Sequence, residues 1–135
     1  MLWRATLAWQ RAIRAALAPH DLTHVQFVLL ASTWWLASRG EPPTQQQVAD
    51  HAGTDAMMTS QVLRKLEARG LVTRRAHARD SRARSLALTE RGQAVLAPAL
   101  ADVELADQRH FAVLAGEEPA FLELLSRLVA PAGAG

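Results

Sequence analysis

Apolar residues recur at helical spacing along most of this 135-residue chain. In the first seventeen positions, four of them share one face of a helix: Leu2, Trp9, Ile13 and Leu17. A second helix is predicted from Thr23 to about Ser38, and because it is apolar on nearly every side we expect it at the centre of the fold. Further apolar stripes predict a long helix after Thr89 and a final one from about Glu117.

Polar residues mark where the predicted helices begin. Thr23 with Gln26, and Thr44 with Gln47, have the T-x-x-Q spacing of a capping box, in which each side chain bonds the other residue's backbone N–H. The second box opens a short helix that is expected to end near Ala52.

The segment that follows predicts another helix and then a hairpin. Asp55 is placed to cap this helix, which is expected to run to Arg69 and to stop at Gly70. Two short strands, Leu71 to Arg75 and Ser85 to Leu88, flank the polar sequence HARDSR. The chain is therefore predicted to be mainly α with a small β-hairpin, in a single domain over residues 1–135.

The net charge of +2 is unevenly distributed. Residues 55–91 hold nine basic and four acidic side chains, a net charge of +5, whereas residues 92–135 hold two basic and six acidic ones, a net charge of −4. All but one of the basic residues are arginines, whose planar guanidinium can bind phosphates and base edges with paired hydrogen bonds. This asymmetry indicates a polyanionic partner for the middle of the chain.

The basic stretch coincides with the predicted helix and hairpin. A helix that begins with small polar residues can enter the major groove of DNA, and a basic hairpin beside it can hold phosphates. Double-stranded DNA is therefore the partner that the pattern favours.

Several other classes of protein lack support in the sequence. There is no cysteine, no G-x-S-x-G, no phosphate-binding glycine loop and no apolar run near the roughly 20 residues of a membrane span. The N-terminus does not have the pattern of a signal peptide. His20 and His24 have a spacing that suits a metal on a helix, but they straddle the predicted helix start, so no metal or other cofactor is predicted. We expect a non-enzymatic, cytoplasmic protein.

Four stretches, taken together, resemble the MarR-type winged helix-turn-helix regulators of transcription. They are, in order, LTHVQFVLL (Leu22–Leu30), PTQQQVADHAG (Pro43–Gly53), TDAMMTSQVLRKLEARGLVTR (Thr54–Arg74) and DSRARSLALTERG (Asp80–Gly92). The resemblance implies a homodimer whose helical body is formed by residues 1–38 and 90–130, a DNA-binding lobe over residues 40–89, and a frayed tail at 131–135. It further implies a repressor that binds a pseudo-palindromic operator and is relieved by a small aromatic effector.

The helix after Asp55 corresponds to the recognition helix of this family. Its groove-facing residues are expected to be Met57, Met58, Thr59, Ser60, Gln61 and Arg64. Gln61 stands where many members have arginine, and glutamine pairs best with adenine N6 and N7, so it predicts an A·T preference at that base pair. Contact of Gln61 with phosphate or water is the open alternative.

The hairpin corresponds to the wing of the family. Four of its arginines are expected to contact DNA: Arg75, Arg79, Arg82 and Arg84. The resemblance places the wing tip in the minor groove, where arginine responds to groove width and potential. Asp80 is expected to brace one of these arginines. The alternative function is a winged helix that binds another protein without operator specificity, which the two methionines favour and the arginines oppose.

Two sets of apolar residues have two interpretations each. Candidates for the dimer interface, which could equally form an intramolecular core, are Leu2, Trp9, Phe121, Leu124 and Leu128. One of the adjacent residues Trp34 and Trp35 is expected in the core. The other is expected to line an effector cleft with Trp9, or to pack in the core as well.

Overall fold

The computed structural model of the chain describes residues 1–76 and 83–130. Its main elements are, in order, α1 (Leu2–Leu17), α2 (His24–Ala37), α3 (Gln45–Ala52), α4 (Ala56–Ala68), β1 (Val72–Ala76), β2 (Arg84–Leu88), α5 (Glu90–Phe111) and α6 (Glu118–Val129). One-turn 3₁₀ helices follow α1 and α5. The predicted fold class, mainly α with one antiparallel hairpin, is confirmed.

The predicted capping boxes start α2 and α3. The Thr23 hydroxyl accepts from the Gln26 N–H at 3.2 Å, and the Gln26 side chain accepts from the Thr23 N–H at 3.0 Å. The same two bonds join Thr44 and Gln47 at 3.1 and 2.8 Å. Each box satisfies two backbone donors that the first turn of a helix leaves unpaired, which fixes where the helix begins.

The first strand of the hairpin is displaced by one residue from its predicted position, and the second begins one residue earlier than predicted and ends at Leu88 as predicted. We expected the first strand to begin at Leu71, but this residue lies in the turn that closes α4, where its N–H bonds the carbonyl of Leu66. The Leu71 carbonyl in turn accepts from the N–H of Thr89. The ladder therefore runs from the pair Val72 and Leu88 to the pair Ala76 and Arg84.

The second helix lies at the centre of the fold, as predicted. It packs against α1, α3, α4, α5 and β2. Its buried residues Phe27, Leu29 and Leu30 belong to one core cluster that gathers apolar side chains from every other main element except α6. None of the helices in the described residues is long and apolar enough to span a membrane.

A close contact joins the start of α5 to the base of the hairpin. The Thr89 hydroxyl donates to the Gly70 carbonyl at 2.6 Å and accepts from the Gly92 N–H at 2.9 Å. Gly92 lies so close to Leu71 that a Cβ built on it would be 2.0 Å from the Leu71 carbonyl oxygen. Only a residue without a side chain fits there, so the hairpin and α5 form one tightly packed joint.

The last helix is the exception to this packing. It contains no buried residue, and the exposed fractions of Leu124 and Leu128 are 56% and 73%. Leu2 and Phe121 are exposed as well. Within a single chain these four interface candidates therefore form no core. Trp9 differs, because it is half-buried and packs against the core of its own chain.

Candidate nucleic-acid interface

The recognition helix α4 has one buried face and one exposed face. Leu63 and Leu66 are fully buried. On the opposite side Gln61 and Arg64 are exposed, and Met57 has an exposed fraction of 73%. Met58 is exposed to a smaller extent, and Ser60 is half-buried at the edge between the two faces. Five of the six residues expected to face the groove are thus accessible to a ligand.

Thr59 is the sixth, and its predicted place in the groove is wrong. The side chain is fully buried. Its hydroxyl donates to the Asp55 carbonyl at 2.7 Å and lies 2.6 Å from the Thr54 hydroxyl. Thr59 stands one turn before Leu63 and so shares the inward face of α4. It holds the turn between α3 and α4 and has no polar atom free for DNA.

The wing is described only at its base. Arg75 and Arg84 are exposed, opposite Ser85 and Ala76 in the ladder. The three residues expected at the tip lie outside the described residues: Arg79, Asp80 and Arg82. The register places Arg84 on the face of the hairpin that lies beside α4 and Arg75 on the opposite face.

Arg74 is a functional candidate that the sequence analysis missed. It lies opposite Leu86 in the ladder, on the other face of β1 from Arg75. Its guanidinium donates to the Gln45 side chain and to the Glu67 carboxylate, both at 3.3 Å. The side chain thus joins α3, α4 and β1. The alternation of the two neighbouring arginines, Arg74 and Arg75, was the available signal, since only one of them can face outward.

A cleft of about 440 Å³ opens between α4 and the base of the wing. It is lined by polar residues from α3, α4 and both strands: Gln45, Ser60, Arg64, Glu67, Arg74 and Arg84. Three guanidinium groups therefore share this cleft with one carboxylate, which makes it suited to an anion.

Comparison with known proteins agrees with this arrangement. Residues 19–105 match the family described as ArnR1-like, winged-helix domain. The HTH-type transcriptional regulator YdcH of Bacillus subtilis is 43% identical over 129 residues, which are 96% of this chain and 87% of that protein. The chain belongs to the MarR-type winged-helix family. The matched residues extend from the turn before α2 into α5 and so include the entire helix-turn-helix and hairpin.

Solved structures of two other members support the same assignment. The transcriptional repressor CouR, bound to a 23-mer DNA duplex, is 29% identical with a TM-score of 0.80, over 96% of this chain and 89% of that one. The Mycobacterium tuberculosis MarR family protein Rv2887, in complex with salicylic acid, is 34% identical with a TM-score of 0.67, over 94% and 92% of the two chains.

In this MarR-type chain neither Trp34 nor Trp35 is buried, so the expectation that one packs in the core is wrong. Their exposed fractions are 44% and 38%. Thr33 occupies the inward position of this turn of α2, and the two following residues are rotated away from it by about 100° and 200°. The Trp35 ring stacks on His51 at 5.0 Å and carries the Arg39 guanidinium 3.6 Å from its centre.

Trp9 lies in a different environment, where α1 meets α2 and α5. Its indole N–H donates to Asp107 at 2.8 Å, and its ring meets His24 edge to face at 5.1 Å. Burial lowers the pKa of His24; the nearby Asp107 raises it and Arg14 lowers it. Within the described residues no ring contact joins Trp9 to Trp34 or Trp35, so a cleft shared by all three stays a prediction.

The two histidines that suggested a metal have separate partners. His20 lies 2.6 Å from the carboxylate of Asp102 on α5, whereas His24 faces Trp9. Among the residues the structure describes, no three histidines or carboxylates are grouped as metal ligands. The His20 pair instead ties the turn after α1 to α5.

Proposed function

We propose that this protein is a repressor of transcription that binds a pseudo-palindromic operator as a homodimer, in the cytoplasm, and acts without catalysis. The observation that carries the proposal is the form of α4. Its buried face fixes it in the lobe, and its exposed face offers Met57, Gln61 and Arg64 to the major groove. The wing arginines beside it would supply contacts to phosphate and minor groove.

The dimer is supported by the apolar residues that a single chain leaves uncovered. Leu2 on α1 and Phe121, Leu124 and Leu128 on α6 are exposed. Helices with exposed apolar stripes bury them against another molecule, and a second copy is the partner that a symmetric operator requires. Two recognition helices would then read half-sites centred about 10 bp apart. The body of the dimer would be formed by residues 1–38 and 90–130, and each lobe by residues 40–89.

An effector that weakens DNA binding is the regulatory part of the proposal. The relative Rv2887 has been solved with salicylic acid, a small aromatic acid. Trp9, Trp34 and Trp35 are the aromatic side chains that we propose for such a ligand in this chain. Binding between the body and the lobes would change their spacing, and only one spacing fits successive major grooves.

A protein-binding winged helix is the second candidate, favoured by one observation. The exposed Met57 places an apolar side chain at the start of α4, where a protein groove could receive it. Selection of bound fragments from random duplex DNA distinguishes the two functions, because an operator reader enriches a symmetric motif and a protein-binding module enriches none.

Gln61→Ala tests base reading within the same experiment. We expect this variant to lose discrimination at one base pair of each half-site by about tenfold, while its total affinity falls less. An equal loss on every sequence would mean that Gln61 contacts the backbone only.

A further inference from the structure

We propose that the cleft between α4 and the base of the wing binds one phosphate of the DNA backbone, and that Arg74 is its principal ligand. The proposal rests on the proposed function, since the ligand is the operator duplex itself. Arg74 differs from Arg64 and Arg84, which line the same cleft and are expected to reach bases or the minor groove, because it is half-buried and they are exposed.

The position of the cleft is the first argument. When a recognition helix occupies the major groove and a wing occupies the adjoining minor groove, the phosphate strand that separates the two grooves must cross between them. In this protein the cleft lies between the two elements, which is where that strand would cross. Its walls are Ser60, Arg64 and Glu67 on α4 and Arg74 and Arg84 on the hairpin.

The charge of the cleft is the second argument. Glu67 is paired with Arg74 at 3.3 Å. Within the described residues, Arg64 and Arg84 form no ion pair. The cleft therefore carries an excess of positive charge that its own carboxylate does not neutralise, and a phosphodiester is the anion that the bound duplex brings to it.

The state of the Arg74 side chain is the third argument. One terminal nitrogen of Arg74 donates to Gln45 and the other donates to Glu67. Three of the five N–H donors of the guanidinium are therefore left without an acceptor in the described residues. One of these, the Nε–H, is buried and has no partner in the described part of the chain, so the two that remain for a phosphate are on the terminal nitrogens. The guanidinium is thus held in place before DNA binds, and it keeps N–H groups that can donate to a phosphate.

The test measures how the affinity for the selected operator depends on salt. Arg74→Gln should bind about tenfold more weakly, as expected for the loss of a hydrogen bond to a charged group. The slope of log K against log salt should fall by about 0.9, the contribution of one phosphate. Arg11→Gln on α1 removes the same charge from an exposed site outside the cleft and should keep the wild-type slope.

Glu67→Gln separates a phosphate ligand from a purely structural role. If the role of Arg74 is only structural, both variants lose the ion pair between Arg74 and Glu67, and both should lose stability and DNA binding. If Arg74 binds phosphate, Glu67→Gln should tighten DNA binding by severalfold, because it removes a negative charge from beside the phosphate. Opposite effects of the two variants support the proposal, and parallel losses with an unchanged salt slope overturn it.

Chemical modification of the DNA completes the test. Replacing single phosphates of the operator with uncharged methylphosphonates should identify one position per half-site at which wild-type affinity falls and Arg74→Gln affinity does not. If no position behaves in this way, the phosphate site is refuted while the operator-binding function stands. If the wild-type protein enriches no sequence and binds no duplex, the proposed function fails and this proposal with it.

Discussion

The recognition helix α4 and the C-terminal helix α6 are similar in length, but the chain packs only one of them. Helix α4 is capped by Asp55, whose carboxylate accepts from the Met58 N–H at 2.8 Å, and it buries Thr59, Leu63 and Leu66. Helix α6 has no side-chain cap and buries nothing, although its apolar residues recur at the same helical spacing. Amphipathic sequence alone therefore does not determine burial, which needs a surface to pack against.

This difference indicates how the two functions are divided. Each chain completes its own DNA-reading lobe, because α2, α3 and β1 all pack against α4. In one chain the terminal helices leave apolar side chains exposed, on α1 and above all on α6, and in the proposed dimer the partner would cover them. A single lobe gains its affinity for a symmetric site only when it is linked to a second lobe.

The largest effect is expected from a change in the exposed apolar stripe of α6. Leu124→Asp places a charge in the apolar stripe of α6 and should give a monomer with at least about a hundredfold lower operator affinity, because the two lobes are no longer linked. Light scattering gives the mass, and fluorescence anisotropy gives the affinity. Ser126→Asp puts the same charge on the opposite side of α6 and should keep the dimer. A dimeric Leu124→Asp protein with normal affinity would refute the proposed interface.

The joint between lobe and body offers the next largest effect. Gly92→Ala forces a methyl group against the Leu71 carbonyl, so the free energy of unfolding should fall by about 3 kcal/mol, measured by urea denaturation. Gly40→Ala is the matched control, because no atom lies within 4 Å of a Cβ built there and we expect a change within about 0.5 kcal/mol. If Gly92→Ala is as stable as wild type, the hairpin and α5 can separate, and the joint is a hinge instead.

Features that depend on nearby residues could be predicted from the sequence. Both capping boxes join residues three positions apart, so their bonds form as soon as a helix starts, whatever surrounds it. The same holds for the cap at Asp55 and for the left-handed turns at Gly53 and Gly70. The order of the main elements and the starts of α2, α3 and α4 followed from these local signals.

Features that depend on which side of an element faces the core could not be predicted. Helix α2 is apolar almost all round, so its pattern did not reveal that Trp34 and Trp35 point outward. Thr59 is small and polar like the groove-facing residues next to it, and only the packing of α4 on the lobe shows that it points inward. Arg74 required the register of the hairpin, because a shift of one residue would exchange it with Arg75.

A smaller effect tests whether the inward face of α4 is structural. Thr59→Val keeps the shape of the side chain but leaves the half-buried Thr54 hydroxyl without its partner, so we expect a loss of about 1–2 kcal/mol in unfolding free energy. The selected operator motif should be unchanged. Ser60→Ala, at the next position, should alter stability by less than about 0.5 kcal/mol. A changed operator motif with unchanged stability in Thr59→Val would mean that Thr59 contacts the DNA groove and is not structural.

The smallest expected effect lies in the body, at His24. Burial lowers the pKa of this imidazole below its usual 6.5, so the unfolded chain binds a proton more readily than the folded chain does. The contribution of His24 to stability is therefore complete above about pH 6.5 and is lost as the pH falls from there through the folded-state pKa. Melting temperatures measured by circular dichroism between about pH 8 and 5 should decline less in His24→Gln than in wild type.

Asp107→Asn should act in the opposite direction, because this carboxylate raises the pKa of His24. Its removal widens the difference between the pKa of His24 in the folded and unfolded chains, so the melting temperature should decline more steeply with falling pH. Identical pH profiles of the melting temperature for all three proteins would contradict this prediction. They would mean that the fold stabilises the two protonation states of His24 equally.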